Sequence, residues 1–148
     1  MSVEQVLRKE LTGIKVEIET GPEETFLTLE SASIAGAMKV LRDNKDCRFD
    51  YMRCLCGVDY PDYVKIVYLL LSTKTKEKIT VYTDVPKDNL RVASVTGLWA
   101  GADWHERETA EMFGVVFDGH PDPRKLFLAD DNDAHPLRKD FKLDYGEK

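Results

Sequence analysis

Apolar positions change period several times along the chain, and each change marks an element. Val3, Val6, Leu7 and Leu11 recur at helical spacing behind Ser2 and Gln5, which have the spacing of a capping box, and Gly13 is placed to stop the helix. Ile14, Val16 and Ile18 then alternate with Lys15, Glu17 and Glu19, the period of a half-buried strand. After Gly21-Pro22 a second strand runs through Phe26-Leu27-Thr28-Leu29, so the pair predicts a hairpin. Ile34, Met38 and Leu41, with Ala35 and Ala37, return to helical spacing and predict a helix to about Asp43 that covers one sheet face. Strands are predicted over 48–58, 63–71 and 78–85, joined by connections too short for a crossover helix, which favours antiparallel neighbours.

Beyond Pro86 the pattern predicts a helix over 92–99, then Gly101, then a second helix opened by Asp103 with Glu106 three residues on and stopped by Gly114. After Val115-Val116-Phe117 the chain is rich in Asp, Pro and charge without a sustained apolar period, so it should lie as an extended tail over other elements. The expected architecture is a single α+β domain over residues 1–148: a mainly antiparallel sheet with helices on one face, then an extended C-terminal tail. Residues 1–85 would hold sheet and helices, and 86–148 the charged helix and tail.

Composition agrees with one core, since 148 residues at 43% hydrophobic content support a single sizeable domain. The longest apolar run, 66–71, is far below the roughly 20 residues of a membrane-spanning helix. The start, Met1-Ser2-Val3-Glu4-Gln5, lacks a basic flank and apolar run, so a cytoplasmic chain is expected. Three cysteines are a poor disulfide framework and fit reduced thiols. A net charge of -6 argues against nucleic-acid binding, which needs a basic excess.

Few residues offer chemistry of their own. Cys47, Cys54 and Cys56 fall one short of the four ligands of a structural zinc or all-cysteine cluster, with no histidine before His105. On a strand, Cys54 and Cys56 would share a face with Met52 and Val58 and act as small buried hydrophobes. His105, His120 and His135 lack a ligand spacing, and a hydrogen-bonding role in the turn-like segments His120-Pro121 and His135-Pro136 is the simpler expectation. No nucleophile elbow, phosphate loop or dinucleotide fingerprint occurs, so no catalytic residue, metal or cofactor is expected. Trp104, Arg107, Glu108 and Glu111 would share one helix face, with Arg107 pairing to Glu111 and Trp104 covering the guanidinium stem. Glu106 and Glu108 lie two apart and diverge, which makes an acid/base couple improbable. The charged helix suits either a solvated face or an interface anchored by Trp104.

The order of motifs is more specific. Trp99, Ala102-Asp103-Trp104, Glu106-Arg107-Glu108, Glu111-Met112-Phe113-Gly114, Phe117, Gly119-His120-Pro121-Asp122 and His135-Pro136-Leu137-Arg138-Lys139-Asp140-Phe141 follow in one line. Over about 94–141 this run resembles the thirty-kilodalton subunit family of respiratory complex I, known in bacteria as the C-type subunit of NADH-quinone oxidoreductase. The resemblance implies a non-catalytic, hydrophilic subunit of the peripheral arm, without a redox centre, on the cytoplasmic side of a membrane-bound translocase. It would pack against the large quinone-site (forty-nine-kilodalton type) subunit and the iron-sulfur subunits. Trp104, Glu106, Arg107, Glu108, Glu111, His120, Pro121, Arg124, His135, Pro136, Arg138 and Lys139 would then lock the fold or contact partners.

The chain departs from the family pattern at three places. Pro123 stands where a leucine is usual, Asp131-Asn132-Asp133-Ala134 lacks the aromatic and glycine that precede the His-Pro-Leu-Arg-Lys motif, and the end at Lys148 implies a small tail interface. Two other readings compete. One is the homologous subunit of a membrane-bound hydrogenase or other complex I-related dehydrogenase; the other is a stand-alone enzyme using His120 or His135 as a base, which should show a concave pocket around a titrating group.

Overall fold

The structure is a computed structural model and describes residues 3–144. In chain order it contains α1 (Val3–Glu10), β1 (Val16–Thr20), β2 (Thr25–Glu30), α2 (Ile34–Asp43), β3 (Tyr51–Asp59), β4 (Tyr63–Leu71), β5 (Lys78–Pro86), β6 (Arg91–Ala93), α3 (Ala102–Phe113) and β7 (Val116–Asp118). This is the expected α+β class. Five strands form one sheet in the order β1-β2-β5-β4-β3, and β6 pairs with β7 separately. Ser2 of the expected capping box lies outside the described residues. Gly13, at φ +89°, takes the left-handed conformation that ends the first helical segment.

The hairpin β1–β2 and the meander β3–β4–β5 are antiparallel, as short connections require. The seam between them departs from that pattern: β2 runs parallel to β5, from Thr25 opposite Ile79 to Glu30 opposite Asp84. The chain between these strands carries α2, β3 and β4, ample length for the crossover that a parallel pair needs.

One sheet face is buried. Leu27 and Leu29 of β2, Val64, Ile66, Tyr68 and Leu70 of β4, and Ile79, Val81 and Val85 of β5 join Leu7, Leu11, Ile34, Met38 and Leu41 from the first two helices in one core. α3 packs on the same side against β3, where Gly57 permits its close approach: a Cβ there would stand 2.8 Å from the Phe113 ring and 3.2 Å from the Thr109 methyl. The opposite face carries the half-buried Val67, Leu69 and Tyr82, and no helix among the described residues covers it.

The predicted helix over 92–99 does not form. Val92 instead pairs with Phe117 in a short parallel ladder, and the chain turns at Val95, whose carbonyl accepts the Leu98 and Trp99 N–H groups. Serine and threonine supply the reason: the Ser94 hydroxyl meets the Thr96 hydroxyl at 2.8 Å and accepts the Thr96 N–H, a local bond that competes with helix formation. Trp99 closes the turn over the core, its indole N–H donating to the Phe49 carbonyl at 3.1 Å.

Asp50 fastens the entry of β3 to the turn after β4. Its carboxylate accepts the Thr73 N–H at 2.9 Å and hydroxyl at 2.7 Å, and Arg48 pairs with it at 2.9 Å. The Thr73 N–H foremost, with its hydroxyl and Arg48, holds the carboxyl at about 2, below its ordinary 3.8. A depressed folded-state value gives stability that is present above the unfolded value and lost as pH falls through the folded one. Acid titration of unfolding should therefore show a decline between about pH 4 and pH 2 that is reduced in Asp50→Asn; equal slopes in the two proteins would contradict this linkage.

Candidate functional site

The charged helix is buried more deeply than its composition implies. Ala102, Glu106, Thr109 and Phe113, spaced 4, 3 and 4 apart, form the stripe of α3 that faces the core. Glu106 is therefore fully enclosed, at 0% exposure, which corrects the reading of this helix as a solvated face. The helix begins at Ala102 after Gly101, without a side-chain cap, so the expected Asp103/Glu106 capping box is not formed. Glu106 Oε1 accepts the Val95 N–H at 2.7 Å instead and pins the turn before the helix. Burial pushes the Glu106 carboxyl above its ordinary value, against the Val95 N–H, the Ser94 hydroxyl and the His120 ring, which all hold it down.

His120 completes this cluster. Its Nδ1 accepts the Asp122 N–H at 3.0 Å, which leaves Nε2 as the N–H of the neutral ring. Nε2 lies 3.2 Å from the Asp103 carbonyl, 3.4 Å from its carboxylate and 4.0 Å from Glu106 Oε2. The Tyr68 hydroxyl is buried beneath; burial pushes its phenol up, and the Glu106 charge adds to the shift. Both nitrogens of His120 are engaged, and only 3% of its side chain is exposed. It is held as a structural crosslink rather than offered as a base.

The tail is strapped to α3 by polar groups in sequence. Arg107 donates to the Arg124 carbonyl at 2.7 Å and the Lys125 carbonyl at 3.3 Å. Glu111 accepts backbone N–H groups of Leu126, Phe127 and Leu128, the last at 2.6 Å. The expected Arg107–Glu111 pair is thus replaced: each side chain satisfies tail backbone that would otherwise be orphaned near the helix, a better use of a half-buried charge than an exposed i,i+4 pair. His135 Nδ1 meets the Glu111 carbonyl at 2.9 Å, Leu137 N–H reaches the Met112 carbonyl and Arg138 Nε donates to the Phe113 carbonyl at 2.7 Å. These satisfy the last carbonyls of α3.

Lys139 continues the strap onto the sheet, its N–H donating to Asp59 Oδ2 at 2.9 Å while Lys87 pairs with the same carboxylate at 2.8 Å. Burial pushes the Asp59 carboxyl up, but Lys87 and the Lys139 N–H overcome this and hold it below its ordinary value.

The strap's anchors lie among the residues of the quoted motifs, with Asp103 and Asp122 in motifs but without an assigned role there, and with Asp59 outside every motif. An inward-facing carboxylate at the end of β3 was the available signal for Asp59. Other named residues stay apart from the strap's hydrogen bonds. Glu108 and Pro121 are exposed, Pro136 is half-buried, and the Arg124 guanidinium forks onto Asp122 at 2.6 and 2.7 Å. Trp104 is 65% exposed with the Arg107 guanidinium 5.4 Å from its ring, as the stem-covering expectation had it. Phe127, 67% exposed, and Leu137 also project from the strap.

Between α3, β7 and the start of the tail lies a cavity of about 190 Å³ lined by Glu106, Arg107, Phe117, His120 and Pro123. Pro123 lacks a backbone N–H and fills the lip of this cavity without asking for an acceptor. Among the described residues no three His, Cys, Asp or Glu side chains converge as metal ligands, and no helix is long and apolar enough to cross a membrane.

Comparison with known proteins places this geometry. A protein of Chloroherpeton thalassium described as the C-type subunit of NADH-quinone oxidoreductase is 39% identical over 142 residues, covering 94% of this chain and 59% of the relative. Its counterpart in a Roseiflexus species is 42% identical over 114 residues, covering 74% of this chain and 65% of that one. The chain thus spans about three-fifths of the length of these relatives. A trypsin-resistant fragment of Nqo5 superposes with TM-score 0.68 at 28% identity, over 82% of this chain and 99% of the fragment. A chain from an archaeal membrane-bound sulfane sulfur reductase shares the fold, with TM-score 0.82 over 97% of this chain and 87% of that one at 22% identity. The model of the respiratory-chain NADH dehydrogenase 30 kDa subunit matches residues 27–147, a span that runs from within β2 through the strap, and the chain belongs to that family.

Proposed function

We propose that this chain is a non-catalytic, hydrophilic peripheral-arm subunit of an NADH-quinone oxidoreductase. It supports electron transfer to quinone by holding the large quinone-site subunit and the iron-sulfur subunits in place on the cytoplasmic side of the membrane. The observation that carries this reading is the strap: a backbone without regular structure, fixed to α3 by Arg107, Glu111, His135 and Arg138, that leaves Phe127 and Leu137 exposed, as Trp104 is on α3 itself. Large exposed apolar side chains on a rigidly anchored segment are the anatomy of an interface anchor. A stand-alone enzyme using His120 as its base is disfavoured by the engagement of both nitrogens of that ring.

The two groups of residues separate experimentally. Trp104→Ala and Phe127→Ala should leave the unfolding midpoint of the isolated chain unchanged and weaken its incorporation into the complex, measured by co-purification from the host. Arg138→Glu should lower both. Full incorporation of the Trp104 and Phe127 variants with turnover lost would point to chemistry instead. The co-purifying partners also decide whether the host complex oxidises NADH or is a related membrane-bound hydrogenase or other dehydrogenase.

A further inference from the structure

The two cysteines of β3 occupy a different position from the one their spacing implies. Met52 pairs with Leu70 and Cys54 with Leu69, so the strand bulges at Arg53 and its side-chain phase slips by one. Met52 and Leu55 consequently face the core, whereas Cys54 and Cys56 turn together to the uncovered face of the sheet, Cys54 half-buried and Cys56 exposed. Without the bulge Cys54 would stand in the core beside Met52. The two side chains are neighbours two residues apart on that face, opposite Leu69 and Val67 of β4. β3 is an edge strand, so the pair is approached from the face and from the edge.

This arrangement favours some thiol chemistry over other. Residues two apart on a strand have Cα atoms separated by about 6.6 Å, at the upper end of the range a disulfide tolerates, so closing a bond between the sulfurs would distort the strand. A metal ion asks for less. Two metal–sulfur bonds of about 2.3 Å each bridge sulfurs roughly 4 to 5 Å apart, a separation that two side chains on one strand face can reach. Soft thiolate pairs select soft ions, and a site with only two ligands suits an ion that accepts linear coordination.

We propose that Cys54 and Cys56 form a two-thiolate site for a soft cation of the monovalent copper type on the uncovered sheet face. Binding breaks two S–H bonds, forms two metal–sulfur bonds and releases two protons to solvent, with no change of oxidation state. Burial, then the neighbouring Cys54, raises the Cys56 thiol above its ordinary value, and a thiol binds a metal ion only after losing its proton. The affinity should therefore climb about 100-fold per pH unit below the thiol values, the slope of a two-proton exchange.

The test is anaerobic titration of the full chain with monovalent copper against a chromophoric copper(I) chelator. One ion per chain is expected, with a two-sulfur shell by X-ray absorption. Cys54→Ser and Cys56→Ser should each weaken binding at least about 100-fold, because one thiolate cannot complete the linear pair. Both positions lie on the uncovered face, and circular dichroism should show each variant folded. Retention of affinity in either variant, or a pH slope of about tenfold per unit, the mark of a single displaced proton, would overturn the site.

Discussion

Gly114→Ala is expected to be among the most damaging single changes in this chain, through two separate costs. Gly114 ends α3 at φ +77°, where any residue with a Cβ is strained, a penalty of about 1–2 kcal/mol. The added methyl would also stand 2.7 Å from both the Arg138 Nη2 and the His135 Nε2. Neither can retreat without giving up a carbonyl of α3, since His135 is bonded to that of Glu111 and Arg138 to that of Phe113. The total should reach about 2–4 kcal/mol, strain plus one or two lost bonds to half-buried carbonyls. Urea unfolding measures the loss, and limited proteolysis should show cleavage moving into residues 125–140. A variant as stable and as resistant as the parent would show that the tail is not clamped at this helix end.

Glu106 should produce the second large effect, with a size that depends on the replacement. Glu106→Leu removes the acceptor of the buried Val95 N–H, at a cost of about 1–3 kcal/mol for an orphaned donor. Glu106→Gln keeps an oxygen for Val95 and should cost much less. It also changes the pH response. Because burial raises the folded-state value of this carboxyl above its ordinary 4.5, its contribution to stability is fully present below that value and is lost as pH rises through the folded one. The advantage of the parent over the glutamine variant should therefore shrink as pH rises from about 4 toward neutrality. A difference that stays constant across that range would mean that Glu106 keeps an ordinary titration in the fold.

The strands were legible because period-two patterning reports a buried sheet face directly, as in Val64, Ile66, Tyr68 and Leu70. The helix stop at Gly114 was legible because a left-handed C-cap has a strong residue preference. Three features resisted. The bulge at Arg53 is a one-residue slip that exists only in the pairing with β4, so the alternation through Met52, Cys54 and Cys56 pointed to the wrong face. The segment after Val92 had helical spacing, but Ser94 and Thr96 spend their hydroxyls on local bonds. Glu106 looked like one more charge in a charged helix. Its place in the stripe with Ala102, Thr109 and Phe113 was visible in the spacing, whereas the Val95 N–H that makes its burial tolerable came from a neighbouring turn. Most anchors of the strap nevertheless lie within the motifs quoted from the sequence.

The parallel seam between β2 and β5 also governs how the chain can fold. The meander β3–β4–β5 is made of contacts between near neighbours and can close early, whereas joining Thr25 to Ile79 must close a loop of about fifty residues before any ladder bond repays the entropy. The hairpin β1–β2 should therefore dock after the rate-limiting barrier. In a chevron experiment, truncating Leu27 should then accelerate unfolding with little effect on refolding, while truncating Leu70 should slow refolding. A strand that carries Leu27 and Leu29 into the core would thus contribute chiefly to how long the native state lasts, and little to how quickly it is reached.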